Sequence, residues 1–426
     1  VQFCKPAIIG FTGTKALILL LSVLFWALPQ VPANGQVLHD LNRLKPVGSI
    51  KIPFSLENDF IVVKAIINNS YGLRFIVDTG AENTILLNKE ISDKLDLTYR
   101  RKFTVTGADR ERELVAYLAT GVDLTLGDAI EARHRSILVL EENYAKLDEI
   151  VGSPIHGILG ADFLMRFVVE FDFKRRQLIL HEPGGYAPSR KHLAVPAEFY
   201  RHRPYLTLPI SFSGAPSPRK LLLDTGASIS LLLHTFRDTI IAQDLPVPTL
   251  PGYLANGIGG SVDGNVGRIR NLKLADRTLE DVVTYFQVLD TTGMLNLNGR
   301  QGIIGNRILS RFNIVVDYVR QTVYFRPDKK AIRQRFKFDR SGLSLVAGGR
   351  RLQKVMVARV LPGSPAAEAG LLVGDRITGV NKTSTTFLTL SGILDRLRGK
   401  TGKTMKIKYV REGKYYRTEF KLREIL

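Results

Sequence analysis

Two copies of one short segment constrain this chain more than any other feature. Phe75-Ile-Val-Asp-Thr-Gly-Ala81 returns as Leu221-Leu-Leu-Asp-Thr-Gly-Ala227. A second segment, Gly157-Ile-Leu-Gly-Ala-Asp-Phe-Leu-Met-Arg-Phe167, returns as Gly302-Ile-Ile-Gly-Asn-Arg-Ile-Leu-Ser-Arg-Phe312. The offsets agree: 146 for the aspartates (224 − 78) and 145 for the glycines (305 − 160). Chance similarity rarely preserves both order and spacing, so the segments mark two homologous lobes in tandem, residues 44–186 and 187–329.

Each lobe reads as mainly β. Phe60 to Ile67 and Leu73 to Val77 are apolar, β-branched runs bounded by turn residues. Val169, Phe171 and Phe173 recur at period two, which predicts a half-buried strand entering a hairpin over 168–180; residues 313–325 repeat it. Short helices are expected over 161–167 and 306–312, and Pro183-Gly-Gly-Tyr-Ala-Pro188 reads as the interlobe linker. A third, α+β unit covers 338–426, with a strand over 354–360 and a helix over 390–398. A chain of 426 residues has room for three such domains.

The repeat also places chemistry. An apolar strand that ends in Asp sets a carboxylate at the rim of a core. Gly80 and Gly226 let the backbone turn sharply behind it, and Thr79 and Thr225 supply hydroxyls that can tie the two turns together. If the lobes pack about a pseudo-twofold axis, Asp78 and Asp224 meet. Two carboxylates in contact cannot both ionise, so the pair keeps one proton. The charged member can then take a proton from a water, and the neutral one can donate to a carbonyl. A single Asp-Thr-Gly would be weak, because Asp often closes a turn on its own backbone. Asp290-Thr-Thr-Gly293 is such a decoy, since it lacks the preceding apolar strand.

On these residues, 44–329 resemble a bilobal, single-chain member of the pepsin and retropepsin aspartic peptidase group. Asp78-Thr-Gly-Ala-Glu-Asn-Thr84 is closest to the retroviral form, with Ala where pepsins usually carry Ser or Thr. The resemblance implies two β-barrel lobes, a catalytic Asp78–Asp224 dyad, support of each turn by Gly160 and Gly305, and a polypeptide substrate. It also implies a flap. The hairpin of the first lobe, with Gly107 at its tip, lacks the aromatic residue of pepsins there. The second, with Gly257, Gly259 and Gly260, resembles a retroviral flap. The competing reading is a non-catalytic peptide-binding protein built from degenerate lobes, and the intact aspartates, threonines and glycines argue against it.

Ser364-Pro-Ala-Ala-Glu-Ala-Gly-Leu371 followed by Gly374-Asp-Arg-Ile377 resembles a bacterial PDZ domain. The resemblance makes Gly342, Leu343, Ser344 and Leu345 the loop that binds a peptide C-terminus. The bland alternative is a spacer that only stabilises the peptidase.

Charge and cysteine narrow the setting. The chain carries a formal +20, and residues 330–426 hold 22 Lys and Arg against 7 Asp and Glu. We read this as a solvated basic surface; aromatics are not interleaved as a nucleic-acid platform needs. Lys5, Lys15, the apolar run 16–28 and Val31-Pro-Ala33 read as an export signal over 1–33. That implies a periplasmic or extracellular bacterial protein with no membrane span after signal removal, or one anchored by an uncleaved segment. Cys4 lies in that segment, so no disulfide is expected beyond it. The 7 His lack ligand spacing, so no metal or cofactor is expected. The peptidase unit should act as a monomer.

Overall fold

The computed structural model describes residues 41–43, 48–70, 72–106, 113–127, 130–212, 214–236, 249–257, 260–289 and 299–426. The signal segment 1–33, Gly107, Gly259 and the Asp290–Gly293 decoy lie outside them.

The two lobes build the same core motif. In lobe one, strand Gly72–Val77 runs antiparallel to Phe60–Ile67 and parallel to Gly157–Leu159, which in turn pairs with Ile85–Leu86. In lobe two, Ser217–Leu223 runs antiparallel to Arg203–Ser211 and parallel to Gly302–Ile304, which pairs with Leu231–Phe236. Each apolar-Asp strand is therefore flanked by the apolar-apolar-Gly strand of its own lobe. Buried Phe75, Ile76, Ile158, Leu222 and Ile303 fill both faces, as near-continuous apolar runs require.

A third sheet joins the lobes. Its strand order is Leu193–Pro196, Thr322–Pro327, Phe312–Asp317, Val168–Asp172, Gln177–His181 and Ser49–Pro53, so each lobe gives three strands. Val168–Asp172 and Phe312–Asp317 pair antiparallel at its centre. This corrects the half-buried expectation for 168–180. The first strand is buried except at Glu170, and Phe312–Asp317 is buried throughout. The period-two pattern reported one covered face; the partner lobe supplies the neighbour at the centre and the core covers the rest. The helices are also shorter than expected, Ala161–Leu164 and Asn306–Leu309.

The C-terminal unit folds around its own core of Leu345, Val357, Ile377, Ile393, Met405 and Ile407. Strand Lys354–Val360 and helix Leu390–Leu397 lie where the sequence put them. Asp375 of the Gly-Asp-Arg-Ile segment is buried, accepts two bonds from Arg411 (2.7 and 2.8 Å) and one from the Leu372 amide (2.8 Å), which makes it a structural tie. The unit is docked, not dangling. Phe336 of the connecting segment is buried in the lobes' core under the Arg311 guanidinium, 3.5 Å from the ring centroid. Arg268 of lobe two donates to the Leu426 carbonyl (3.3 Å).

Candidate active site

The two Asp-Thr-Gly turns meet between the lobes and are locked by exchanged hydrogen bonds. The Thr79 amide donates to Thr225 Oγ1 (3.0 Å), and the Thr225 amide donates to Thr79 Oγ1 (3.1 Å). Each hydroxyl then donates across the interface, Thr79 to the Leu223 carbonyl (2.7 Å) and Thr225 to the Val77 carbonyl (2.8 Å). Both threonines are fully buried. Six polar groups thus satisfy one another through four bonds, and they do so only if the lobes keep this register.

That lock brings Asp78 and Asp224 together. Asp78 Oδ1 accepts the amides of Gly80 (2.7 Å) and Ala81 (3.0 Å), and Asp224 Oδ1 accepts that of Gly226 (2.8 Å). Asp78 Oδ2 is buried and meets no donor among the described residues. The Asp224 carboxyl is its charged neighbour.

The plus-two glycines are required for a different reason from the expected one. Neither has a positive φ. A Cβ on Gly80 would instead fall 2.7 Å from Asp224 Cγ, and one on Gly226 would fall 2.2 Å from Asp78 Cγ. Each carboxylate occupies the space over the glycine of the opposite turn. Close approach, not turn strain, excludes a side chain there.

Gly160 and Gly305 brace the turns from behind. The amides of Asp78 and Asp224 donate to the carbonyls of Leu159 and Ile304 (3.0 Å each). The next residues return the bond: Ala161 to the Ala81 carbonyl and Asn306 to the Ala227 carbonyl (2.8 Å each). A Cβ at Gly160 would lie 2.4 Å from the Asn83 carbonyl oxygen, and one at Gly305 would lie 2.5 Å from that of Ile229.

The electrostatics set the pair apart from ordinary carboxylates. Burial, then the Asp224 charge beside it, holds Asp78 well above the usual range. Burial also raises Asp224, while its bonds and the nearby guanidiniums of Arg300 and Arg203 draw it back. The protons belong to the pair. Two buried carboxylates in contact cannot both ionise at ordinary cost, which is why the pair binds a proton more tightly than separate carboxylates would.

Sequence reasoning missed several contributors. Arg203 and Arg300 are buried in lobe two and bias Asp224. Asn306 Nδ2 donates to the carbonyls of Thr225 (2.6 Å) and Asp59 (2.8 Å), tying the second turn to lobe one. Thr84 accepts the Gly160 amide (3.3 Å) and donates to Asp162 Oδ1 (2.8 Å). The available signal was divergence within the repeat: polar Asn306 stands where lobe one has Ala161.

The flap positions are only partly described. Strands Thr98–Thr106 and Glu113–Leu126 form the first hairpin, with its Gly107 tip outside the described residues. In the second, strands Leu250–Gly257 and Gly260–Leu274 pair up to Gly257 opposite Gly260. Gly342, Leu343, Ser344 and Leu345 lie at the start of edge strand Leu343–Gly348 in the C-terminal unit and line a cavity.

Comparison with known families agrees with this architecture. Residues 63–163 and 208–308 each match the aspartyl protease family, and residues 356–411 match the PDZ domain family. An aspartic proteinase from Irpex lacteus is 14% identical, covering 66% of this chain and 98% of its own, with a TM-score of 0.40. A photosystem II D1 C-terminal processing protease is 24% identical over 21% of this chain, with a TM-score of 0.20; the match spans 24% of that protein. No curated protein sequence matches the chain. The fold and paired turns thus define a bilobal, retropepsin-like protein with a C-terminal PDZ domain. Its two lobes belong to the aspartyl protease family.

Proposed function

We propose that the chain is an aspartic endopeptidase that cleaves extended polypeptides, with Asp78 and Asp224 as the catalytic pair. The observation that carries this reading is the exchanged Thr79–Thr225 bonding, which holds two buried carboxylates over each other's glycines. In this mechanism the pair carries one proton. The ionised carboxylate takes a proton from a water as its oxygen attacks the scissile carbonyl carbon. The protonated carboxyl donates to the carbonyl oxygen, giving a tetrahedral gem-diol. Return of a proton to the amide nitrogen then releases the amine and the new carboxylic acid. No group outside the dyad is needed for the proton balance.

The PDZ domain, in the same reading, receives a C-terminal peptide at Gly342 to Leu345. Strand Leu343–Gly348 pairs only with Lys354–Val360 among the described residues, so its other edge can accept a ligand strand. Export is proposed from the basic, apolar segment 1–33. No helix among the described residues is long and apolar enough to cross a membrane.

The test is digestion of an unfolded protein by the purified chain, compared with Asp78→Asn and Asp224→Asn. Cleavage by the wild type and its loss in both variants supports the assignment. Equal cleavage by either variant rejects it.

A further inference from the structure

We propose that the PDZ groove holds a segment of its own chain, lobe-one helix Leu147–Val151 with Gly152, and that a free-acid peptide binds by displacing it. The proposal rests on the reading of Gly342 to Leu345 as a peptide-binding loop and adds what occupies the groove at rest.

The groove has two walls, edge strand Leu343–Gly348 and helix Leu390–Leu397, and the two pack together. Helix Leu147–Val151 packs against the same strand. Gly152, which caps the helix, takes φ +85°, and a Cβ there would lie 2.6 Å from Leu390 Cβ. The segment therefore abuts the N-terminal end of the groove helix with no space between them. Asn58 fastens it: its amide donates to Ser391 Oγ (2.7 Å), and its Nδ2 donates to the Ile150 carbonyl (2.9 Å). One residue of lobe one thus bonds both to the groove wall and to the segment lying against it.

The other end of the groove is open. A cavity of about 620 Å³ is lined by Gly342, Leu343, Leu345, Leu394 and Arg398 of the PDZ domain, and it reaches Ile150 and lobe-two Ile229. Its walls are largely aliphatic, and the guanidiniums of Arg307, Arg359 and Arg398 line it together with the Asp339 carboxyl. A C-terminal carboxylate with a branched aliphatic last side chain matches that chemistry. Such a ligand can enter at the loop. To add as a strand along Leu345 and Ala347 it must run toward Leu390, where 147–152 sits. Ligand affinity is then reduced by the fraction of molecules in which the groove is clear.

The segment also reaches the candidate dyad. Leu147, Val151 and Ile155 share a small core with Ile158, Ile85 and Ala81. Ala81 is the residue whose amide donates to Asp78 Oδ1. PDZ occupancy and the first Asp-Thr-Gly turn therefore act on one packed cluster.

The test is made on the full chain carrying Cys4→Ser, Asn58→Cys and Ser391→Cys, a cross-link that joins lobe one to the groove helix where the Asn58 amide meets Ser391 Oγ at 2.7 Å. The probe is a fluorescent hexapeptide ending in Val-Val with a free carboxylate, followed by anisotropy. The oxidised form should bind it at least about tenfold more weakly than the reduced form, the fold-change expected when the clear state is suppressed. Gly152→Val, which drives a side chain into Leu390, should bind it more tightly than wild type. Hydrogen exchange at the 147–151 amides should speed up when the peptide is added. Equal affinity of oxidised and reduced forms, absence of binding in both, or unchanged exchange at 147–151 overturns the proposal. These readouts do not use peptide cleavage. A chain that binds as expected yet digests nothing would sink the peptidase reading and leave this one standing.

Discussion

Glu170 and Val315 face each other in the antiparallel pair at the centre of the interlobe sheet. They are 145 residues apart (315 − 170), the separation of Gly160 and Gly305. Each is the repeat equivalent of the other, so the pseudo-twofold axis passes between them. The same relation pairs Thr79 with Thr225, 146 residues apart. One axis thus organises both the shared sheet and the meeting of the two carboxylates. Both halves of that relation lie in one chain, so specific activity should not change on dilution. A fall in specific activity across a hundredfold dilution would mean that a second copy is required.

The exchanged threonine bonds should be worth more than their number suggests. Thr79→Val removes a hydroxyl that accepts the Thr225 amide and donates to the Leu223 carbonyl, and leaves both buried without a partner. A loss of about 2 kcal/mol or more is expected for two orphaned groups. Thr225→Val should cost a similar amount, because its partners mirror these. Urea denaturation measures both, and a loss below about 0.5 kcal/mol in each would show that the lobes are held by the shared sheet alone.

Substituting the plus-two glycines should separate folding from activity. Gly80→Ala places a methyl 2.7 Å from Asp224 Cγ, and Gly226→Ala places one 2.2 Å from Asp78 Cγ. Either carboxylate must move aside. A misplacement of this kind costs roughly 100-fold in rate, while circular dichroism should stay that of the wild type. Gly226→Ala, with the shorter contact, should be the more damaging. Near-wild-type cleavage by both would show that the carboxylates do not need this arrangement.

Much of the architecture was legible because duplication leaves order and spacing in the sequence. The tandem lobes, the Asp-bearing strands and the PDZ elements all followed from local pattern. The central sheet did not. Val169 and Phe171 signal one covered face, but nothing local says that Phe312–Asp317 of the other lobe pairs beside them. The glycine requirement at 80 and 226 was assigned to backbone conformation, because a contact with a side chain 144 or 148 residues away is invisible in a tripeptide. Asn306, Arg203 and Arg300 were missed for a related reason. A buried polar residue is recognisable only once its distant partners are known. The docking of helix Leu147–Val151 on the PDZ domain joins segments that carry no shared pattern at all.

Asp162 offers a pH test of the brace behind the first turn. Its carboxyl is pushed up to about 6, chiefly by burial, against an ordinary value of 3.8. In the window between those values the folded chain binds more protons than the unfolded one, so stability falls as pH rises through it. Above about 6 the full cost of the buried charge is present; below 3.8 it is absent. Asp162→Asn removes the ionisation yet keeps an oxygen to accept the Thr84 hydroxyl. The variant should match the wild type at pH 3 and exceed it at pH 7.5. A shift of this size corresponds to about 3 kcal/mol, and the part of Asp162 still facing solvent should trim that to roughly 1–2 kcal/mol. The raised carboxyls of Asp78 and Asp224 titrate in both proteins and cancel in the difference. Thermal unfolding of the two proteins across pH 3 to 7.5 reads the gap directly. A gap that stays constant with pH would mean that Asp162 is not held above its ordinary range, and that Thr84 and Gly160 are braced by hydrogen bonding alone.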